Sequence, residues 1–370
     1  MRGLARAAKR AGDMAFNAGG GAVNWFPGHM AAASRAIRDR LKLADLVIEV
    51  RDARIPLSSA NEDLQPVLAA KRRILALNKK DLANPNIMNM WLHHFESCKQ
   101  DCISVNAHSS TSVGQLLGLV EFKLKEAISK EPTLLVMVVG VPNVGKSVLI
   151  NSIHRIATSR FQVQDKNKRA TVGPLPGVTQ DIAGYKIASQ PSIYVLDTPG
   201  VLVPSIPDME TGLKLALTGA VKDSVVGEER IAKYLLSLLN IRKTPLHWER
   251  LLHRREELDE ESCNSNGKNY SDTPRRRRRL NNSDTLYVQD MVMEVQRTLC
   301  STFMDFTGNT EDEGELERLI DAQLVDLRKV FRIPHKPFDE THGPASKKLL
   351  TLFRSGKLGP FILDDLPDDQ

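Results

Sequence analysis

Short apolar runs alternate with helical stretches over the N-terminal part of the chain. After the turn at Pro27 and Gly28, a stretch with helical spacing leads to the first apolar run. The apolar runs span Leu46 to Val50, Arg73 to Leu77, Cys102 to Val105, Leu134 to Val139 and Ser192 to Leu196. Such runs are typical of strands buried on both faces. Their alternation with helices predicts an α/β fold with a mostly parallel sheet and helices on both faces.

The pattern changes near Asp208, where amphipathic helical segments replace the strands. These segments span Thr211 to Val225, Glu228 to Asn240, Val288 to Thr302 and Glu315 to Val330. Residues 24–207 are therefore predicted to form the α/β domain, and residues 208–370 a small helical domain. The stretch from Arg254 to Asp284 lacks apolar periodicity, which predicts a solvated, disordered insertion. Its run Arg275 to Arg279 is compatible with RNA binding, with a nuclear address or with a loop that makes only transient contacts.

Composition and charge exclude some classes of protein. The 370 residues are 41% hydrophobic and 26% charged, as in ordinary globular proteins. No apolar run approaches the roughly 18 residues that a spanning helix needs, so no membrane span is predicted. The formal net charge of +6 fits a nucleic-acid partner without singling one out. The four cysteines form no disulfide-like framework, which favours a reducing compartment.

The first 23 residues are basic and poor in acids. Asp13 is their one acidic residue, and small apolar residues among them can share one face of a helix. The basic residues are Arg2, Arg6, Lys9 and Arg10. This composition predicts a mitochondrial transit peptide over residues 1–23. The alternative interpretation is a disordered basic tail.

The strongest motif is GVPNVGKS, from Gly140 to Ser147, between a predicted strand and a predicted helix. It is the phosphate-loop pattern, in which glycines let successive backbone N–H groups point at phosphates. Lys146 supplies charge to the β- and γ-phosphates, and the hydroxyl of Ser147 is a ligand for Mg²⁺. The N-terminus of the following helix adds the N–H of Val148. The predicted nucleotide contacts in this loop are Asn143, Val144, Gly145, Lys146, Ser147 and Val148.

A second phosphate-side motif is DTPG, from Asp197 to Gly200, after the next clear strand. Asp197 is placed to hold Mg²⁺ from the far side, commonly through water, and the N–H of Gly200 can meet the γ-phosphate. Between the two motifs lies the Gly/Pro-rich segment ATVGPLPGVTQD. A threonine in such a segment reaches Mg²⁺ only in the triphosphate state. Thr179 is the predicted switch residue, and Thr171 is the alternative.

The motif NKKD, from Asn78 to Asp81, decides between GTP and ATP. The carboxylate of Asp81 can accept hydrogen bonds from N1–H and the 2-amino group of guanine, and adenine has neither donor there. Asn78 can brace the loop, the stem of Lys79 can lie over the ring, and Lys80 completes the motif. The alternative is a helix-capping turn, but no other NKxD or TKxD occurs in the chain. The motif therefore predicts a guanine nucleotide.

These motifs occur in a permuted order along the chain. Ser104, in ISVNAH after NKKD, is the predicted companion contact on the base; the phosphate loop, switch threonine and DTPG follow. With NWFPGHM, DARIPLSS and GLKLALTGAVKDSVVGEE, this order resembles the circularly permuted GTPases of the ribosome-biogenesis GTPase A family. The resemblance runs from about Asn24 to Glu229, with a weaker match near FRSGKLGPF. With the basic N-terminal segment, the likeness is closest to the mitochondrial ribosome-associated members.

The resemblance implies a circularly permuted P-loop GTPase domain that binds GTP or GDP with Mg²⁺. It implies GTP hydrolysis on the mitochondrial large ribosomal subunit during assembly, with rRNA bound in a GTP-dependent manner. It also implies a matrix protein that is monomeric off the ribosome and compatible with peripheral association with the inner membrane. Two alternatives stay open: an RNA-binding scaffold with negligible hydrolysis, and a nuclear or cytosolic ribosome-biogenesis GTPase.

The resemblance also indicates which residue positions the attacking water and which ion supplies additional positive charge. Familiar GTPases place a glutamine just after the DxxG motif, and here that position is Val201, whose side chain cannot hydrogen-bond. The resemblance makes His29 of FPGHM the candidate that positions or deprotonates water. The alternative is that His29 is a turn residue. Asn143 matches the asparagine associated with potassium dependence, so K⁺ is an expected cofactor there.

Overall fold

The computed structural model describes residues 28–128, 131–161, 183–189, 192–202, 206, 208–252, 280–334 and 342–367. The predicted transit peptide and most of the predicted insertion near 254–284 lie outside these residues. The chain forms two compact units. The first unit comprises the described residues up to Val226 together with those from Gly359 onward. The second unit extends from Gly227 to Leu358. These units describe packing, and the expectation that residues 208–370 act as a separate functional domain stays a prediction.

The first unit is built on a six-stranded sheet. Its strands are β1 (Leu46–Asp52), β2 (Arg73–Asn78), β3 (Cys102–Val105), β4 (Thr133–Val139), β5 (Ala183–Ser189) and β6 (Ser192–Asp197). They lie in the order β3-β2-β1-β4-β6-β5, and all neighbours are parallel except β5, which is antiparallel to β6. The predicted α/β fold with a mostly parallel sheet is confirmed.

Strand β5 is absent from the sequence prediction. It lies at the edge of the sheet, where buried Tyr185 and Ile187 alternate with exposed Gly184. A strand with one covered face alternates apolar and polar residues, so it lacks the continuous apolar run that marks the central strands.

The helices of the first unit connect the strands and cover both faces of the sheet. They are α1 (Gly28–Leu41), α2 (Gln65–Ala69), α3 (Pro85–Ser97), α4 (Ser110–Ile128), α5 (Lys146–Phe161), α6 (Met209–Leu217) and α7 (Asp223–Val226). Ile37 and Leu41 of α1 pack in one buried cluster with residues of β1 and β4. Trp91 and Phe95 of α3 pack in a second cluster with residues of β2. Every residue of β1 is buried, so neither face of this strand is open to water.

The sequence predicted one helix from Thr211 to Val225, and this prediction is wrong. Helix α6 ends at Leu217, and the chain turns before α7 begins at Asp223. Gly219 has φ +83 in this turn, a left-handed conformation that glycine adopts without steric cost. The break leaves the carbonyl of Gly219 free of helical bonding, and it accepts a hydrogen bond from the phosphate loop as described below.

The second unit is helical. Its helices are α8 (Glu228–Ile241), α9 (Leu280–Met304), α10 (Glu313–Val330) and α11 (Gly343–Arg354), and a 3₁₀ turn covers Thr244–Trp248. Asn240 of α8 and Gln323 of α10 are fully buried and exchange two side-chain hydrogen bonds of 2.8 and 2.9 Å. Helix α11 was not predicted, although Pro344 in its first turn is a common start signal. Of the helices in the described ranges, none combines the length and apolarity needed to cross a bilayer.

The C-terminal residues from Gly359 return to the first unit. The N–H of Phe361 donates to the carbonyl of Leu82 at 3.1 Å, and the N–H of Leu363 donates to the carbonyl of Arg54 at 2.7 Å. Ile362 between them is buried in the cluster that contains Trp91. This segment therefore holds the two loops that follow β1 and β2.

Candidate nucleotide-binding site

The phosphate loop joins β4, in the middle of the sheet, to the N-terminus of α5. The side chain of Lys146 is buried, and its Nζ donates to the carbonyls of Gly140 at 3.1 Å and Val141 at 2.9 Å. Asn143 has φ +57 and Gly145 φ +92, so the loop curls through left-handed backbone conformations. Such a curl turns successive N–H groups inward, which makes a concavity for anions at the positive end of a helix.

Asn78 connects the base-reading motif to the phosphate loop. Its Nδ2 donates to the carbonyl of Val144 at 2.8 Å, and its Oδ1 accepts from the N–H of Ala107 at 3.1 Å. A Cβ at Gly145 would overlap the same Nδ2, so this close approach requires glycine. One buried side chain thus fixes three loops that are far apart in the sequence.

The NKKD motif places its acidic residue at the surface. Lys79 adopts φ +63, and a 3₁₀ turn from Lys80 to Leu82 follows. Asp81 is exposed, and Lys80 is half-buried. The helix-capping interpretation of Asp81 is wrong, because α3 is capped by Asn84, whose side chain accepts from the N–H groups of Asn86 and Ile87. The carboxylate of Asp81 is therefore available to a base edge.

The companion loop on the base begins after β3. Ser104 lies inside that strand, opposite Leu77 of β2, and is half-buried. The residue that bonds the base-reading motif is Ala107, two positions beyond the strand end, and its carbonyl accepts from Ser152 at 2.6 Å. Ser104 as a base contact stays a prediction. Sequence reasoning missed Ala107 because its role depends on a backbone N–H, which side-chain chemistry does not mark.

Ser147 and Asp197 meet where the metal was predicted. The Ser147 hydroxyl donates to Asp197 Oδ2 at 3.1 Å. The other oxygen, Oδ1, is buried and accepts no hydrogen bond from the described residues. Burial raises the pKa of Asp197, and the nearby charge of Lys146 opposes that shift. A buried carboxylate oxygen without a partner beside a hydroxyl fits a hard cation such as Mg²⁺, whose usual ligands are oxygens.

Gly200 lies directly against the phosphate loop. A Cβ at this position would lie 2.7 Å from the backbone N of Pro142 and 3.1 Å from Nζ of Lys146. Only a residue without a side chain can bring its backbone this close. The backbone of Gly200 is thus held beside the lysine that the sequence assigned to the γ-phosphate.

The residue after DTPG is turned into the core. Val201 is fully buried in the cluster that contains Ile37 and Leu41 of α1. Its carbonyl accepts a hydrogen bond of 2.8 Å from Nδ2 of Asn61. Its side chain therefore contributes packing to this site and offers no group to water.

Several predicted site residues fall outside the described part of the chain. Thr179 and its alternative Thr171 lie in residues 162–182, which the structure does not describe. His29 belongs to the first turn of α1, but its side chain is outside the description. Their roles stay predictions.

Asn143 is tied to the loop between α6 and α7. Its Nδ2 donates to the carbonyl of Gly219 at 2.8 Å. This bond uses the amino group, which is a donor and cannot ligate a cation, and it fixes the orientation of the carboxamide. Oδ1 is then the atom suited to K⁺.

Nucleotide binding should take up a proton near pH 8. Burial lowers the pKa of Lys146 to about 8, while Asp197 opposes the shift and Lys79 adds to it. Bound phosphates favour the ammonium form and raise this pKa. The affinity for the nucleotide is therefore highest well below pH 8, and it falls as the pH rises through the pKa of Lys146 in the nucleotide-free protein. Calorimetry of GDP binding in buffers of different ionisation enthalpy should give about half a proton at pH 8 and about a tenth at pH 7. Equal uptake at both pH values would contradict the assignment.

Comparisons with known proteins give the following similarities. A family model described as 50S ribosome-binding GTPase matches residues 135–266. "Short integuments 2, mitochondrial" of Arabidopsis thaliana is 66% identical over 97% of this chain and 93% of its own. "DAR GTPase 2, mitochondrial" of the same plant is 38% identical over 92% and 90%. "Ribosome biogenesis GTPase A" of Bacillus pumilus is 37% identical over 59% and 75%.

Among solved structures, the GDP-bound structure of TM YlqF has a TM-score of 0.50 at 18% identity, covering 90% of this chain and 100% of that chain. At this identity the similarity concerns the fold alone.

Proposed function

Since the chain belongs to the circularly permuted ribosome-biogenesis GTPase A family and is a mitochondrial GTPase, we propose that it acts in assembly of the mitochondrial large ribosomal subunit. It binds GTP and GDP, and in the proposed cycle its GTP state binds the subunit and its rRNA. Hydrolysis on the subunit then releases the protein. The proposed place of action is the matrix, and a matrix protein of this kind can associate peripherally with the inner membrane. The mitochondrial location removes the nuclear or cytosolic alternative.

The observation that carries the proposal is the three-way contact at Asn78. It joins NKKD, the loop after β3 and the phosphate loop through bonds of 2.8 and 3.1 Å. Motifs that are permuted along the chain thus meet at one edge of the sheet, because the strands that precede them, β3, β2 and β4, lie close together in the order β3-β2-β1-β4. Ligands of parallel α/β sheets bind at this edge, beyond the carboxyl ends of the strands.

In the proposed reaction the chain's own residues bind, orient and neutralise the nucleotide. Lys146 and the N–H of Gly200 meet the γ-phosphate, while Asp81 holds the base. Ser147 and Asp197 would hold Mg²⁺, with Thr179 joining them in the triphosphate state. The metal supplies charge to the β- and γ-phosphate oxygens. Asn143 would offer Oδ1 to K⁺, which supplies further positive charge.

The proposed water-positioning residue is His29. Val201 is fully buried and cannot perform this task. The helix that carries His29 is anchored through Ile37 and Leu41 to the same cluster as Val201. A neutral imidazole held near the DTPG segment can orient water or accept its proton.

The first test is GTP hydrolysis in potassium buffer with and without mitochondrial large subunits. Subunits should stimulate the wild type, and His29→Ala should lower the stimulated rate by about 10²-fold or more, the usual contribution of a general base. Single-turnover measurements separate hydrolysis from product release. His93→Ala is the matched control, since His93 is exposed on α3 and pairs only with Glu96 in the described contacts.

Two results would change the proposal. Full stimulation in His29→Ala would remove this residue from the chemistry. An absence of stimulation in the wild type would favour the RNA-binding scaffold with negligible hydrolysis.

A further inference from the structure

The carboxylate that ends β1 lies beside the base-reading loop that ends β2. The two strands are parallel, and Asp52 stands opposite Asn78 in their register. The N–H of Ala53 donates to the carbonyl of Asn78 at 2.8 Å, so the two strand ends are bonded directly. The DARIPLSS segment, which the nucleotide motifs leave unexplained, therefore begins next to NKKD.

Asp52 is held in one orientation by several donors. It is 1% exposed. Nε and Nη2 of Arg54 donate to its two oxygens at 2.9 and 2.8 Å, and its own N–H donates to Ser59 Oγ at 3.1 Å. Burial alone would raise the pKa of Asp52, but the charges of Arg54 and Lys79 hold it well below the usual value. The group is thus an ionised, oriented acceptor.

Lys79 is anchored to this acceptor by its far end. Its Nζ donates to Asp52 Oδ2 at 2.9 Å, and its side chain is 24% exposed. Its backbone is fixed in the left-handed region at φ +63. A lysine normally samples many rotamers, but one tied at both ends presents its methylene stem as a fixed apolar surface.

The backbone around this pair is fixed as well. The C-terminal residues bond Arg54 through the N–H of Leu363 at 2.7 Å and Leu82 through the N–H of Phe361 at 3.1 Å. Both loops are therefore held by hydrogen bonds to the C-terminal residues, and the ion pair between Asp52 and Lys79 connects these two restrained loops.

We propose that Asp52 is a positioning residue for guanine nucleotides, which acts by holding the Lys79 stem where the flat face of the base lies on it. The inference rests on the proposed assignment of NKKD to base reading. Asp81 reads the edge of the base, and Asp52 orders the surface on which the ring rests. The two carboxylates should then affect different properties of binding.

A double-mutant cycle on the full-length protein tests the inference. Lys79→Met keeps an apolar stem and removes the ammonium, so it removes the partner of Asp52. Asp52→Asn should weaken GDP binding about tenfold in the wild type and less than twofold in the Lys79→Met background, because contacting residues couple. Dissociation constants are measured with a fluorescent GDP analogue, and thermal unfolding checks that each variant is folded.

A second readout separates positioning from general damage to the loop. IDP lacks the 2-amino group that Asp81 would read. Loss of an ordered stacking surface should weaken GDP and IDP equally, so Asp52→Asn should leave their affinity ratio unchanged. A collapsed base-reading loop would weaken GDP more than IDP, and so would lower the ratio of GDP affinity to IDP affinity. If Asp52→Asn does not fold, Asp52→Glu keeps the charge and is measured in the same cycle, with a smaller loss expected.

Glu49→Gln is the matched control. Glu49 is buried on the same strand and pairs with Arg51 at 2.7 Å and Arg73 at 3.1 Å, so the change removes a buried carboxylate away from NKKD. It should lower the melting temperature and leave GDP affinity unchanged. An equal effect of Asp52→Asn in both backgrounds, or a lowered GDP to IDP ratio, would overturn the inference. An unchanged affinity in Lys79→Met alone would also overturn the inference, because the stem would then need no anchor. An unchanged affinity in Asp81→Asn would instead overturn the assignment of NKKD on which the inference rests.

Discussion

Asp81→Asn is expected to weaken GTP and GDP binding by about 10³-fold, because two charge-assisted hydrogen bonds to the guanine edge are lost. Asp81 is exposed beyond β2, and α3 is capped by Asn84, so the carboxylate has no capping role that the substitution would disturb. The fold should therefore survive, and the loss should appear in binding.

The same variant should accept xanthine nucleotides. Xanthine carries a carbonyl where guanine has its 2-amino group, and the amide of asparagine can donate to that oxygen. Competition between XDP and GDP for a fluorescent nucleotide measures the change. Asp101→Asn is the matched control, since Asp101 pairs with Lys123 at 2.7 Å next to β3. Unchanged GDP affinity in Asp81→Asn would show that the base is read elsewhere.

Lys146→Ala should lower single-turnover GTP hydrolysis by about 10³-fold or more, since phosphoryl transfer depends on preorganised charge at the γ-phosphate. Lys146 is buried and its Nζ is bonded to two loop carbonyls, so its ammonium group is already held in a fixed position. Its charge also opposes the raised pKa of Asp197. Removal should therefore weaken the metal site in addition to phosphate binding.

A titration of Mg²⁺ in the hydrolysis assay tests this second effect. Lys146→Ala should require more Mg²⁺ for half-maximal rate than the wild type. Lys123→Ala, which removes a half-buried lysine from its pair with Asp101, should match the wild type in both rate and metal requirement. A Lys146→Ala protein that hydrolyses GTP at the normal rate would contradict the placement of the phosphates in this loop.

Much of the fold followed from local patterns. Five of the six strands were predicted from short apolar runs, which are longest in β1 and β4 inside the sheet, where burial on both faces demands such a run. Edge strand β5 escaped prediction because it alternates. The helix predicted from Thr211 to Val225 is broken at Gly219. The apolar periodicity continues through this glycine, so the pattern did not reveal its left-handed backbone conformation.

The site divides in the same way. The sequence by itself determined the phosphate loop, NKKD and DTPG, because each is a short contiguous stretch whose chemistry lies in its own side chains and glycines. The tertiary structure alone decided that Asn78 bonds Val144 and Ala107, and that Val201 packs against α1.

It also decided that Lys79 is anchored on Asp52. These contacts join residues from different strands, and they exist because the order and register of the parallel sheet bring the strand ends together. Spacing along the chain carries no record of that order, so only the folded sheet could reveal it.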